Sequence, residues 1–307
     1  MSDAQQTAPP QIRGGEATPV AVPRFELLPF AGMEAAAASL PRGAVVTVTC
    51  SPRHGLERTL AAAEWLQAAG YRAVPHLAAR QVRDQRHLEG VATRLAAAGI
   101  EDTFVVGGDA PQPEGDYPGG LELLEALAAL PLRPARLGIP AYPEGHPHFE
   151  AATLQRILDA KAQHADYVVT QLCFEAAPLV SWLEAQRCGG LRLPVYAGVP
   201  GVIARTQLMA MAVRLGIGPS TRALKRGRGW LGRLLRPARY RPDALLQALR
   251  PVLDGGPGFA GLHFYTFNRV AATREWLDRW QPAVSPPCRD ADAAPQPEGA
   301  ASAEPLG

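Results

Sequence analysis

The strongest constraint on this chain is a rhythm. Short apolar runs occur at 25–28, 45–50, 73–78, 103–106, 137–142, 167–174, 195–199 and 262–267. Most of the gaps hold Ala-, Leu- and Arg-rich stretches with helical spacing, such as 56–69, 85–98, 121–130 and 149–164, and an amphipathic stretch at 270–280 follows the last run. A run of four to eight apolar residues bounded by turn formers reads as a strand, whereas apolar residues recurring every three or four positions read as a helix. Eight strands, each followed by a helix, predict an α/β protein built as a single (β/α)8 TIM barrel. An open doubly wound sheet shows the same alternation, but no Gly-x-Gly-x-x-Gly follows the first strand.

The rhythm occupies residues 23–281 of 307. Residues 1–22, rich in Ala, Gln, Pro and Thr, and 282–307, rich in Pro, Ala, Asp and Glu, are predicted to be disordered tails. Neither buries enough apolar surface to offset the entropy of ordering a chain. A net charge of +2 points to no nucleic-acid partner. No run of about 18 apolar residues is present, so no membrane-spanning helix is expected. The N-terminus has no basic region followed by an apolar segment, so no secretory signal is expected. Cys50, Cys173, Cys188 and Cys288 lack Cys-x-x-Cys spacing, which predicts no metal site and fits a reducing cytoplasm.

In such a barrel the C-terminal ends of the strands build the site, so polar residues there are the candidates. Glu26 lies inside the apolar run Phe25-Glu26-Leu27-Leu28. A carboxyl in apolar surroundings resists ionisation and becomes a proton donor near neutrality; alternatively, Glu26 faces water or pairs with Arg24. Thr49 ends the second strand, where a hydroxyl binds a ligand or caps a turn. His76, after Pro75, is either a ligand donor or a satisfied core residue. Gly107 and Gly108 allow close approach of a planar ligand, with Asp109 beside them. The loop Tyr142-Pro143-Glu144-Gly145-His146-Pro147 brackets an acid and a histidine between prolines. Gln171 offers a donor and an acceptor together. Residues 263–269 begin as a buried strand and turn polar at Thr266, Asn268 and Arg269; as a core strand alone, they would end in a helix-capping Asn.

These runs carry a resemblance to the methylenetetrahydrofolate reductase family. His263-Phe264-Tyr265-Thr266-Phe267-Asn268-Arg269 resembles its His-Phe-Tyr-Thr-Leu-Asn-Arg, with Phe267 for leucine. Phe25-Glu26-Leu27-Leu28-Pro29 resembles Phe-Glu-Phe-Phe-Pro, Val105-Val106-Gly107-Gly108-Asp109 resembles a strand ending Leu-Arg-Gly-Asp, and Thr170-Gln171-Leu172 resembles Thr-Gln-Leu. Tyr142 to Pro147 is similar to Tyr-Pro-Glu-x-His-Pro, Pro75-His76-Leu77 to Pro-His-Leu, and Thr49 stands at the threonine of Val-Ser-Val-Thr-Tyr. The motifs keep the family's order from about residue 24 to 280. The resemblance implies reduction of 5,10-methylenetetrahydrofolate with NADH or NADPH. It implies Glu26 as general acid, with Asp109 holding the pterin and stabilising the developing cation. It further implies Gln171, Tyr265, Phe267 and Arg269 on the folate side, and Thr49, His76, Gly108, Tyr117, Tyr142 and His146 on the cofactor side.

The chain also departs from the family. FAD is the family's usual cofactor, but Gly107 replaces an arginine. The helix after Pro147 puts Thr153, Arg156, Asp159 and Ala160 where an Asp, an Asn, an Arg and a Lys are expected. Lys161 is one residue off, which turns it about 100° around the helix. A tract from Arg222 through Lys225, Arg226, Arg228, Arg233, Arg236 and Arg239 to Arg241 contains no acid. It reads as a solvated loop and helix or as a landing site for a polyanion, such as a folate's glutamate tail or a dinucleotide's phosphates. This segment resembles a mycobacterial-type branch that works without bound flavin, which implies direct hydride transfer from the nicotinamide. A folate-binding protein without turnover, or a barrel reductase for another pterin or one-carbon substrate, are the alternatives. Exposed barrel helices leave homo-oligomer formation open.

Overall fold

The structure, a computed structural model, describes residues 22–204, 239–253 and 257–280. The predicted tails, apart from Val22, and the basic tract up to Arg236 lie outside the described residues. The barrel is closed by eight parallel strands: β1 (Arg24–Leu27), β2 (Val45–Val48), β3 (Arg72–Ala78), β4 (Asp102–Val106), β5 (Arg136–Ala141), β6 (Tyr167–Thr170), β7 (Val195–Pro200) and β10 (Gly261–Tyr265). A short antiparallel pair, β8 (Ile203–Ala204) and β9 (Arg239–Tyr240), stands outside it. The helices are α1 (Met33–Ala37), α2 (Gly55–Ala68), α3 (Gln85–Ala97), α4 (Gly120–Ala128), α5 (Ala151–Ala162), α6 (Ala176–Cys188), α7 (Asp243–Leu253) and α8 (Val270–Arg279). The (β/α)8 prediction holds.

Local chemistry explains the elements. Helix α2 buries Leu56, Leu60, Ala63 and Leu66, and α3 buries Leu88, Val91, Ala92 and Leu95, so each presents one apolar stripe to the strands. The side chain of Asp84 accepts the His87 N–H at 2.7 Å and starts α3. Gly99, at φ 68°, lets the chain leave it. The sixth strand ends at Thr170, four residues short of the apolar run predicted as strand. There Gln171 accepts the N–H of Leu172 with its own side chain at 2.8 Å and diverts the backbone.

Alternation along the strands separates two cores. Outward residues such as Phe25, Leu27, Val46, Leu77 and Phe264 pack under the helices. Val45, Val74, Phe104, Tyr167 and Val169 form a smaller cluster inside the barrel. Tyr167 of that cluster also belongs to a buried polar floor at the level of Val45. Arg24 donates to Asp102 at 3.2 Å and to the Tyr167 hydroxyl at 2.6 Å, and that hydroxyl donates to Asp102 at 2.7 Å. The Arg24 guanidinium also lies 4.3 Å from the centre of the Tyr167 ring. Gly138 is required here, because a Cβ on it would come within 2.2 Å of that ring.

Candidate active site

Two residues along β1 from Arg24, the next inward position is Glu26. The register sets it beside Tyr265 of β10 and Thr47 of β2, towards the C-terminal end of the barrel. Its side chain is only 12% exposed, and Oε2 lies 3.2 Å from Nε2 of His263 and 3.8 Å from Nε2 of His76. Burial raises the Glu26 carboxyl to about 7, against a smaller lowering by His76. Burial also pushes His76 down to about 4 and His263 down to about 3, with the Arg24 charge adding to both. At neutral pH both rings are therefore uncharged, and among the described residues no cation pairs with Glu26 to hold it ionised. Arg24 does not pair with it. The alternatives that Glu26 faces water or pairs with Arg24 are corrected, since Arg24 is committed to Asp102 and Tyr167.

His76 and Tyr265 lie at this carboxyl, and Tyr142, His146 and Asp109 form a second group that meets it through Tyr265. The His76 ring packs against Phe104 at 4.8 Å. Tyr265 donates to the Thr170 carbonyl at 3.1 Å, and burial raises its hydroxyl well above the ordinary range, with Glu26 adding to the effect. Gly198 makes room for it: a Cβ there would meet the Tyr265 ring at 2.9 Å and the Thr170 carbonyl at 2.2 Å. Tyr142 and His146 pair edge to face at 4.9 Å, and the His146 ring also packs on the exposed Phe149 at 5.0 Å. Burial lifts the Tyr142 hydroxyl to about 12, and Asp109 adds to the rise. Asp109 is exposed, and its charge is also felt at His146 and Cys50, which sets it at the mouth with these groups. Gly108 beside it adopts φ 89° and lies close over Ala78.

The remaining candidates behave differently. Thr49 sits at the end of β2, with its carbonyl accepting from Thr59 at 2.9 Å. The Tyr117 hydroxyl donates to Gln85 at the start of α3 at 3.2 Å, so it is not brought together with Glu26. Gln171 is half-buried, with Oε1 occupied by its neighbour's N–H. Arg269 is exposed at the start of α8, and Phe267 is half-buried just before it.

The polar residues of the closing motif do something the sequence did not disclose. Thr266 donates to the Glu26 carbonyl at 2.6 Å. Asn268 accepts the Leu28 N–H at 2.8 Å and donates to the Leu28 carbonyl at 3.0 Å. These bonds staple the last strand to the first across the barrel seam. They also hold Phe267 and Asn268 at φ 49° and 61°, a region that side chains with a Cβ rarely adopt. Asn268 is therefore a seam residue, and α8 begins at Val270, with Arg269 at the N-cap position making no side-chain cap bond. His263, two positions before Tyr265, shares its inward face and meets Glu26 there, a contact that period-two alternation along the strand would have signalled.

On α5, Arg156 donates to Thr153 at 3.1 Å and Gln155 donates to Asp159 at 2.8 Å, so these side chains bond along their own helix. Lys161 is buried, and burial lowers its amine, opposed by Glu122. A Cβ on Gly120 would stand 2.9 Å from the Lys161 amine, which puts that amine against the first turn of α4. Among the described residues no helix is long and apolar enough to cross a membrane, and no cluster of metal-ligating side chains occurs.

An uncharacterized protein from Clostridium thermocellum, described as binding two copies of 5-methyl-5,6,7,8-tetrahydrofolic acid, superposes with a TM-score of 0.57 at 11% identity. The match covers 84% of this chain and 96% of that one, and at this identity it supports the shared fold. Tryptophan synthase from M. tuberculosis matches at 21% identity over 65% of this chain and 82% of that one, but its TM-score of 0.40 carries no argument. The sequence profile of methylenetetrahydrofolate reductase matches residues 31–217, well over half of the chain. The chain belongs to the methylenetetrahydrofolate reductase family.

Proposed function

We propose that the protein reduces 5,10-methylenetetrahydrofolate to 5-methyltetrahydrofolate, with NADH or NADPH as reductant and Glu26 as general acid. The observation that carries this reading is a buried carboxyl, raised to about 7, among the inward strand residues at the end of the barrel where such folds do chemistry. Protonated Glu26 gives its proton to N10 of the folate. The bond between the bridging carbon and N10 breaks, its electron pair stays on N10, and the N5 lone pair forms an iminium to that carbon. A reduced nicotinamide supplies the hydride that completes the methyl group. The negative charge of Asp109 at the mouth favours the cationic iminium. Tyr265, Phe267, Arg269 and Gln171 line the folate side.

The residues of α5 do not fit a flavin's phosphates. Thr153, Arg156 and Asp159 bond along their own helix, Lys161 is buried against α4, and Gly107 offers no side chain. The hydride therefore passes directly from the nicotinamide to the folate. The basic tract would serve as a landing site for the folate's glutamate tail, although Arg241, one of its two described residues, is paired with Asp243 at 3.1 Å.

The test is oxidation of NADH or NADPH by the purified chain with methylenetetrahydrofolate. The wild type is expected to turn over without added flavin. Glu26→Gln is expected to lose about 100-fold or more in rate while still binding folate. Full activity in Glu26→Gln would end the assignment of the acid. Folate binding without turnover in the wild type would make the chain a binding protein, and stoichiometric flavin surviving gel filtration would end the direct transfer.

A further inference from the structure

We propose that His263 is the positioning residue of the proton donor: its Nε2–H holds Oε2 of Glu26, so the transferable proton resides on Oε1. This rests on the reading of Glu26 as general acid.

The two oxygens of the Glu26 carboxyl differ in their surroundings. Oε2 lies 3.2 Å from the His263 Nε2, within hydrogen-bond reach, and 3.8 Å from the His76 Nε2, beyond it. Oε1 has no hydrogen-bond partner among the described residues, and it is not among the fully enclosed polar atoms that lack one. The groups around the carboxyl are His76 from β3, His263 and Tyr265 from β10, and Arg24 on its own strand, whose charge depresses both histidines. His263 is 2% exposed, and its ring packs edge-on against Tyr265 at 4.9 Å. Its other nitrogen, Nδ1, is buried without a hydrogen-bond partner.

A neutral imidazole carries one N–H. With hydrogen on Nε2, the ring donates to Oε2 whether Glu26 is ionised or protonated, because a carboxylate oxygen and an acid carbonyl oxygen both accept. With hydrogen on Nδ1, the ring would face an ionised Oε2 with a lone pair. It would also bury an unsatisfied N–H, which is destabilising. One tautomer therefore serves both states of the acid, and it leaves Oε1 as the oxygen that carries the proton. Because Thr266, the residue that follows β10, holds the Glu26 carbonyl and His263 of β10 holds its carboxyl, the backbone and the side chain of Glu26 are fixed from the same segment.

The test is pH-difference infrared spectroscopy of the full chain, with Glu26→Gln assigning the carboxyl band. His263→Leu removes the donor and is expected to move the Glu26 midpoint up by about one unit or more, because the ionised form loses its hydrogen bond. The alkaline limb of the rate should move with it, while KM for folate stays within about threefold. His263→Gln, whose amide can donate from the same place, is expected to restore the wild-type midpoint. An unmoved midpoint in His263→Leu would overturn the proposal. Nitrogen-15 shifts of His263 in the wild-type protein need no substitution: they are expected to report the Nε2–H tautomer on both sides of the Glu26 midpoint, and an Nδ1–H ring would overturn it. If the infrared result holds but no methylenetetrahydrofolate is reduced, the proposed function fails and the positioning stands. If reduction is observed with an unmoved midpoint, the positioning alone fails.

Discussion

Two carboxylates sit inside the same barrel, and their partners divide their roles. Asp102, in the floor, has a guanidinium at 3.2 Å and a tyrosine hydroxyl at 2.7 Å, neither of which changes charge near neutral pH. Glu26, one inward position along β1 from Arg24, has as its partners among the described residues two histidines that burial keeps neutral. A permanent cation gives a structural ion pair. Neutral imidazoles leave a carboxyl free to take up and release a proton near pH 7. The same depth of burial thus produces a cornerstone in one place and an acid in the other.

Breaking the floor should have the largest effect. Asp102→Ala leaves Arg24 buried with no carboxylate partner and is expected to destabilise the fold by about 3–5 kcal/mol. Denaturant unfolding reads this, and an unchanged unfolding free energy would show that the ion pair is not what holds the floor.

The opposite sign is expected at the upper level. Glu26 is raised on folding from 4.5 to about 7, so its favourable contribution is present below the unfolded value and is lost as pH rises through about 7. Glu26→Gln should therefore be more stable than wild type by up to about 3 kcal/mol at pH 8, with the gain fading towards pH 5. Equal unfolding free energies at pH 8 would contradict the raised carboxyl.

A smaller effect tests the seam between the levels' first and last strands. Asn268→Ala removes two hydrogen bonds to Leu28 and leaves an alanine at φ 61°. A loss of about 2 kcal/mol is expected, with faster hydrogen exchange at the ends of β1 and β10. Unchanged exchange there would show that the seam holds without it.

The barrel was legible because its signals are local: β-branched runs such as Val45-Val46-Thr47-Val48 and stripes such as Leu56, Leu60, Ala63 and Leu66 are written in consecutive residues. Glu26 was legible because a carboxyl inside an apolar strand is conspicuous whatever surrounds it. The floor was not. Arg24, Asp102 and Tyr167 are 65 to 143 positions apart, and only barrel closure brings them together. The alternative of Asn268 as a helix cap fails because its partner, Leu28, lies 240 positions away. His263 could have been found by period-two alternation from Tyr265, but the motif drew attention to the polar residues after the strand. Lys161 was expected to turn about 100° around its helix, and only packing shows that the turn carries it against α4.

The most direct test of the account is the rate of a single hydride transfer as a function of pH, with saturating NADH or NADPH and methylenetetrahydrofolate. If a buried, neutral Glu26 donates the proton, the rate should be level at acid pH and fall as pH rises through about 7, and the fall should disappear with the activity in Glu26→Gln. A rate that stays level from about pH 6 to pH 9 in the wild type would contradict it.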